Sequence, residues 1–314
     1  MIKIRKVPHL DYESFLLGSM EDRTHFQKLF FQSLKDYGFV VLKNYGITEA
    51  ELLKAYNSVK SFFSLDLEIK KNYFLNNGGQ RGYTPYKVEQ AKNSNVPDLK
   101  EFWHIGRENF TKADYASVYP SNIWPNEIKD FKNNLLFLYE KLDIISKNLL
   151  ELIGNSFNLP ANYFSNMIED GNSILRLIHY PPLLNETSNE AVRSAAHEDI
   201  NLITLLVGAT DSGLQLLERD GTWLEIESNF NELVVDNGDM MSRITNNILP
   251  STTHRVVNPK DSVSSRYSLP FFVHPHSNYL LQTIPSCKDP TKDSPDIKAH
   301  DFLIQRLKEI GLYK

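Results

Sequence analysis

The chain has 314 residues, 41% hydrophobic and 23% charged, an ordinary globular composition able to bury a full core in one large domain or two small ones. A net charge of −5 and a pI near 6.0 give no electrostatic reason to expect nucleic acid, and the single cysteine, Cys287, excludes an internal disulfide and fits a reducing compartment. The N-terminus lacks the apolar core of a signal peptide and no stretch approaches the apolar length of a membrane span, so the expectation is a soluble cytoplasmic protein with no membrane partner.

The first half reads as mixed and mostly helical. "DRTHFQKLFFQSLKDYG" places Phe26, Leu29, Phe30 and Leu34 on one helical face, with Gly38 as a stop. "FVVLKNYGI" reads as a short strand into a turn. "TEAELLKAYNSVKSFFSL" predicts a second helix, with Thr48 as N-cap ahead of Glu51. Residues 76–98 carry Gly, Asn, Pro and Ser and read as a long loop, a feature that inside a compact domain is usually functional or disordered. Ile128, Phe131, Leu135, Leu138, Leu142, Ile145, Leu149 and Leu152 then repeat at spacings of three and four, which predicts a long scaffold helix over 126–153.

After about Asn172 the period changes. "SILRLIHYPP", "INLITLLVGA", "GLQLLER", "TWLEIES", "ELVVDNGD", "THRVVNP" and "RYSLPFFVHP" are short strand-like runs separated by turn residues. Asp220–Gly221 marks a hairpin turn. Such strands argue for a sandwich or jelly roll. The tail "DIKAHDFLIQRLKEIGL" predicts a final amphipathic helix. The expected fold is mainly β with flanking helices. Its parts are an N-terminal region over 1–125 packed on the core, scaffold helices over 126–171, a catalytic jelly roll over 172–276, and a C-terminal tail and helix over 277–314.

"AAHEDINLITLL" sets His197, Glu198 and Asp199 against an apolar run, where unpaired charge is unfavourable. On a strand, residues i and i+2 share a face, which predicts His197 and Asp199 side by side with Glu198 opposite. His254 follows in "STTHRVVNP". Two histidines and a carboxylate form the facial triad of non-haem iron(II) oxygenases, whose three ligands leave three octahedral positions open. Taken singly, a His-x-Asp is as readily a solvated turn, and His254 a hydrogen-bonded strand-end histidine. In "SRYSLPFF", Arg266 and Ser268 share a strand face, and a guanidinium with a hydroxyl suits a carboxylate. The alternative for Arg266 is a surface ion pair.

The order His-x-Asp, His, Arg-x-Ser, each on a short strand, resembles the iron(II)/2-oxoglutarate-dependent dioxygenases of the isopenicillin-N-synthase-like group. "DYGFVVLKNYGI" is similar to that group's N-terminal segment and "RGYTPYKVEQAKNSNVPDLKEFWHIGRE" to the loop before its catalytic domain. "GLQLLERDGTWLEI" and "VVDNGDMMSRITNN" match its double-stranded β-helix in order. The resemblance implies His197, Asp199 and His254 as catalytic Fe(II) ligands. It implies Arg266 and Ser268 as the clamp on the distal carboxylate of 2-oxoglutarate, and Tyr180 as a further contact. Many plant members carry asparagine two positions before that tyrosine; this chain has Ile178, so that contact is not carried over. The implied reaction consumes O2 and 2-oxoglutarate, releases succinate and CO2, and most often hydroxylates a small-molecule substrate.

Four residues are candidate substrate contacts. Phe102, Trp103 and Tyr86 lie in the Arg81–Arg107 segment, beside Tyr83 and Arg107, and Arg176 precedes Tyr180 on its strand. Phe102 and Trp103 read equally well as core, and Arg176 as a surface pair. Two rivals stand beside this reading. One is an oxidase like isopenicillin N synthase that does not use 2-oxoglutarate, weakened because the nearest C-terminal glutamine, Gln305, falls within the predicted last helix. The other is a non-catalytic small-molecule binder, weakened by the intact triad. Substrate identity and oligomeric state are not legible.

Overall fold

The computed structural model describes residues 5–75, 79–89, 97–112, 118–182, 193–208, 210, 212–257 and 264–309. Parts of the predicted 76–98 loop (76–78 and 90–96) and the final residues 310–314 lie outside the described residues.

The N-terminal region begins with β1 (His9–Asp11), α1 (Tyr12–Leu17) and α2 (Met20–Tyr37). α2 starts with a reciprocal capping box between Ser19 and Asp22 and ends where Gly38 adopts φ 74°, a left-handed conformation that glycine takes without strain. Phe26, Phe30 and Leu34 are buried as the period predicts, whereas Leu29 is exposed. Next come β2 (Phe39–Lys43), α3 (Glu49–Phe63) and α4 (Leu67–Lys71). Thr48 caps α3 in a box with Glu51, as expected.

Two strands lie where the sequence reads as loop: β3 (Gly82–Thr84) and β4 (Glu101–Gly106). β4 is buried along its whole length, so it lacks the polar alternation that marks a half-buried strand. Its Glu101 accepts from Lys70 of α4 at 2.9 Å, Tyr83 of β3 at 2.5 Å and His179 at 2.7 Å, which ties this wall to its neighbours. The scaffold helix α5 spans Phe131–Ser156. It starts later than the apolar period suggests because Asp130 sits at φ 60°, outside helical space, leaving Ile128 in the preceding turn. α6 (Tyr163–Ile168) leads into the strand-rich half.

That half contains β5 (Ile174–Tyr180), β6 (Ser194–His197), β7 (Ile203–Val207), β8 (Leu214–Leu217), β9 (Trp223–Glu225), β10 (Leu233–Asn237), α7 (Asp239–Ile244), β11 (His254–Val256) and β12 (Arg266–Val273). The tail adds β13 (Leu280–Leu281), a short 3₁₀ turn, β14 (Ile297–Lys298) and α8 (Ala299–Glu309). Each of the seven strand-like runs forms a strand, and Gly221 at φ 86° turns the β8–β9 hairpin.

Among the described residues the strands form two main sheets, ordered β1-β2-β10-β7-β12-β5-β4-β3 and β6-β11-β8-β9. This is the double-stranded β-helix, with the N-terminal strands extending its larger sheet at both edges. Phe39, Val41, Leu214, Leu216, Val234 and Val256 pack between the sheets. α5 covers the outer face of the larger sheet: Tyr139 packs edge-on to Phe271 at 4.9 Å and its hydroxyl donates to the Ser173 carbonyl at 3.0 Å. No helix among the described residues is long and apolar enough to cross a membrane.

Candidate active site

The cavity between the sheets is where His197, Asp199 and His254 meet. His254 pairs directly across from His197 in the β6–β11 ladder, which brings the two rings to 4.4 Å. Asp199 arrives differently from the expectation of a shared strand face. β6 ends at His197, and the chain then turns so that the Asp199 carbonyl accepts from Asp239 N at 2.7 Å. The turn packs Asn201 against Gly238 so closely that a Cβ there would lie 2.3 Å from the Asn201 carbonyl oxygen. The carboxylate therefore reaches the histidines by a loop rather than by strand alternation. Glu198 points elsewhere and accepts a hydrogen bond from the Thr253 hydroxyl.

Each converging donor atom is set up from behind. His197 Nδ1 lies 2.7 Å from the Ala195 carbonyl and His254 Nδ1 lies 3.2 Å from that of Thr252. A carbonyl accepts only, so both Nδ1 atoms carry the proton and both Nε2 atoms present lone pairs. Asp199 Oδ2 accepts from the Thr204 hydroxyl, which in turn accepts from Asn201 Nδ2 at 2.8 Å. That leaves Asp199 Oδ1 facing His197 Nε2 at 3.8 Å and His254 Nε2 at 3.9 Å. Burial first, and the adjacent His254 second, push the His197 pKa down to about 4, so this imidazole is neutral at ordinary pH. The three donor atoms lie within 4.8 Å of one another. Two imidazoles and a carboxylate around one point suit a borderline divalent metal such as Fe(II).

The same cavity, about 70 Å³, continues to Arg266 and Ser268. Both are buried and lie on one face of β12, as the spacing predicts, and Arg266 pairs in register with Tyr180 of β5, whose ring centroid is 5.1 Å from the guanidinium. Ile178, Leu206, Leu214 and Val256 supply apolar walls. Asp236 of β10 also lines the cavity; its buried Oδ2 has no partner among the described residues, and burial first, then the Asp199 charge, holds its carboxyl well above the usual range.

The candidate substrate residues separate. Arg176 lines the cavity, with its guanidinium 4.4 Å from the Phe102 ring centroid and 5.3 Å from that of Phe272. Its Nε donates to His104 Nε2 at 2.5 Å and its Nη1 pairs with Glu89 at 3.2 Å. Lys100 joins the cluster, 2.7 Å from Glu89 and 2.8 Å from Asp98. Burial alone would raise the Glu89 pKa, but the Arg176 and Lys100 charges outweigh it and hold it well below the carboxylate range. Trp103, one residue after Phe102, points from the opposite face of β4 into the core against Phe62 at 4.7 Å. Tyr86 is not part of the cavity lining; its ring lies under Lys87. Gln305 bonds Glu309 on exposed α8 and is not part of that lining either. Lys100, Glu89 and His104 escape sequence reading, because only the pairing of β4 and β5 and the fold of the preceding loop bring them to Arg176; Phe272 reaches it through the pairing of β12 with β5.

Residues 7–127 match the family model described as the N-terminal region of the non-haem dioxygenase in morphine synthesis, and residues 171–275 match the 2OG-Fe(II) oxygenase superfamily. A 2OG-Fe(II) oxygenase family protein of Caulobacter crescentus has 41% identity and a TM-score of 0.87, with 96% of this chain and 98% of that one covered. A full-length Neurospora crassa protein, solved in complex with alpha-KG and thymine, has 27% identity and a TM-score of 0.85, with 96% of each chain covered. The 2-oxoglutarate-Fe(II) type oxidoreductase hxnY of Emericella nidulans is 27% identical over 292 residues, covering 89% of this chain and 82% of its own.

Proposed function

Because the chain belongs to the 2OG-Fe(II) oxygenase superfamily, and is an enzyme that uses Fe(II), 2-oxoglutarate and O2, we propose that His197, Asp199 and His254 hold the iron and that Arg266, Ser268 and Tyr180 seat the co-substrate. One observation carries the ligand assignment: both Nε2 lone pairs and Asp199 Oδ1 converge while every rear atom is held by a hydrogen bond. Bound there, the iron supplies the dioxygen activation that couples oxidative decarboxylation of 2-oxoglutarate to oxidation of a C–H bond. The chain's own part is positioning. Thr204 fixes the carboxylate, Arg266 receives the distal carboxylate with a planar fork, and the apolar walls exclude water.

The substrate is a compact molecule bearing a carbonyl or carboxylate acceptor. Support comes from Arg176, held between two phenylalanine rings, with Nε and Nη1 occupied and Nη2 left without a partner among the described residues. The thymine bound by the Neurospora protein is one molecule of this description. Cytoplasmic placement fits the lone, buried thiol of Cys287, and the acidic pI gives no reason for a nucleic-acid partner. The test is iron content and 2-oxoglutarate consumption of His197→Ala, Asp199→Ala and His254→Ala, followed by a screen of small acceptor-bearing metabolites for succinate release above the uncoupled background. The reading expects iron and turnover to be lost in all three variants, and Arg176→Gln to raise KM for whichever metabolite is coupled. Full iron content in any triad variant contradicts the ligand assignment.

A further inference from the structure

His197 is carried by a strand with little sheet to hold it. β6 lies at the edge of the smaller sheet, and among the described residues it pairs with β11 alone. That ladder shifts register between its two rungs, His197 with His254 and Ser194 with Val256. Ala195 lies between the rungs and is fixed from elsewhere. Its N–H donates to Asp98 Oδ1 at 3.2 Å, and its carbonyl accepts from His197 Nδ1 at 2.7 Å. Asp98 thus holds the residue that orients a ligand histidine.

Asp98 is held in turn. Its backbone N–H donates to the Glu89 carbonyl at 3.0 Å, and its Oδ2 accepts from Lys100 Nζ at 2.8 Å. Lys100 Nζ also lies 2.7 Å from Glu89 Oε2, and Glu89 pairs with Arg176 at 3.2 Å. Asp98 and Lys100 are both buried, so their charge-assisted bond has a fixed geometry. Five contacts therefore run without a gap from Arg176 through Glu89, Lys100, Asp98 and Ala195 to His197. We propose that Asp98 is a positioning residue for the metal centre: it holds edge strand β6 so that the Ala195 carbonyl aims His197 at the triad, and Lys100 keeps Asp98 in place. This rests on the reading that His197 is an iron ligand.

Charge alone would act differently. Asp98 attracts a cation and Lys100 repels one, so by field alone Lys100→Met tightens Fe(II) binding and Asp98→Asn weakens it as much as Asp98→Ala. Positioning predicts the opposite in both cases. The experiment is anaerobic competition for Fe(II) with a chromophoric chelator, using the full chain. Asp98→Ala should weaken Fe(II) binding at least about threefold, less than the ~10–100-fold loss typical of a direct outer-shell partner, because Ala195 stands between. Asp98→Asn keeps an oxygen for the Ala195 N–H and should stay within about twofold of wild type. Lys100→Met should weaken binding at least about twofold. At saturating Fe(II), the 2-oxoglutarate midpoint of each variant should stay within about twofold, because Arg266 and Ser268 lie on β12 of the larger sheet, whereas a general loosening would move both constants. Should Asp98→Ala fail to fold, Asp98→Asn and Lys100→Met still decide between position and charge. Fe(II) affinity within about twofold in Asp98→Ala, equal losses in Asp98→Ala and Asp98→Asn, or unchanged or tighter binding in Lys100→Met overturns the positioning role. If His197→Ala itself keeps full iron, the ligand reading fails instead, and the two failures are distinguishable.

Discussion

Thr204→Val removes one hydroxyl and nearly nothing else. Valine fills the same volume, keeps the branching that suits a strand, and sits in β7 where the side chain is buried. What disappears is the donor to Asp199 Oδ2 and the acceptor for Asn201 Nδ2. A hydrogen bond to a charged group contributes about 1.5–3 kcal/mol. At about 1.4 kcal/mol per factor of ten, this predicts Fe(II) affinity weakened by roughly 10- to 100-fold, the range found when outer-shell partners of metal ligands are removed. Thr204→Ser keeps the hydroxyl and should stay near wild type. The assay is anaerobic competition for Fe(II) with a chromophoric chelator. An affinity for Thr204→Val within about twofold of wild type would refute the claim that this hydroxyl orients the carboxylate.

Arg266→Ala should raise the apparent constant for 2-oxoglutarate at least about tenfold, since leaving one buried charge unpaired costs about 2–5 kcal/mol, and Arg266→Lys should raise it less. Ser268→Ala should have a smaller effect, because it removes one hydroxyl donor to the carboxylate, about 1.5–3 kcal/mol, and leaves the guanidinium in place; titration of the ferrous complex reads all three. Glu198→Ala should leave Fe(II) affinity near wild type, because Glu198 bonds Thr253 and not the triad, whereas Asp199→Ala should abolish binding; metal content of the purified variants decides. In the metal-free protein, burial as the largest cause holds His197 and His274 at pKa values of about 4. Both lie below the unfolded value near ~6.5, so the unfolded chain binds more protons in between and stability falls as pH drops from about 6.5 toward 4. Melting of the metal-free protein should therefore drop more between pH ~6.5 and ~5 than between pH ~8 and ~6.5, and equal drops would contradict it.

The sequence carried its strand signals best where strands are half-buried or bounded by turn residues. β5 and β7 to β12 are legible for that reason. β4 is not, because it is buried along its length and follows a stretch rich in Asn, Ser and Pro. The same gap made Phe102 and Trp103 indistinguishable until alternation on β4 put one beside Arg176 and the other beside Phe62. Arg266 and Ser268 obey the i, i+2 rule because both lie within β12. Asp199 does not, because β6 stops at His197; the three residue types were legible, and the loop that unites them was not. The Arg176–Glu89–Lys100 cluster depends on tertiary contact between a loop and two paired strands, which no local pattern encodes.

His197, Asp199 and His254 are proposed to hold iron within reach of a 2-oxoglutarate clamp at Arg266. The most direct measurement is anaerobic titration of the Fe(II)-loaded protein with 2-oxoglutarate, read at the metal-to-ligand charge-transfer band. Wild-type protein should develop the band with 2-oxoglutarate alone and saturate at one equivalent of 2-oxoglutarate per iron. His254→Ala and Asp199→Ala should develop none, and Arg266→Ala should develop it only at higher 2-oxoglutarate. A band of wild-type intensity and midpoint in His254→Ala would contradict the assignment of the metal centre.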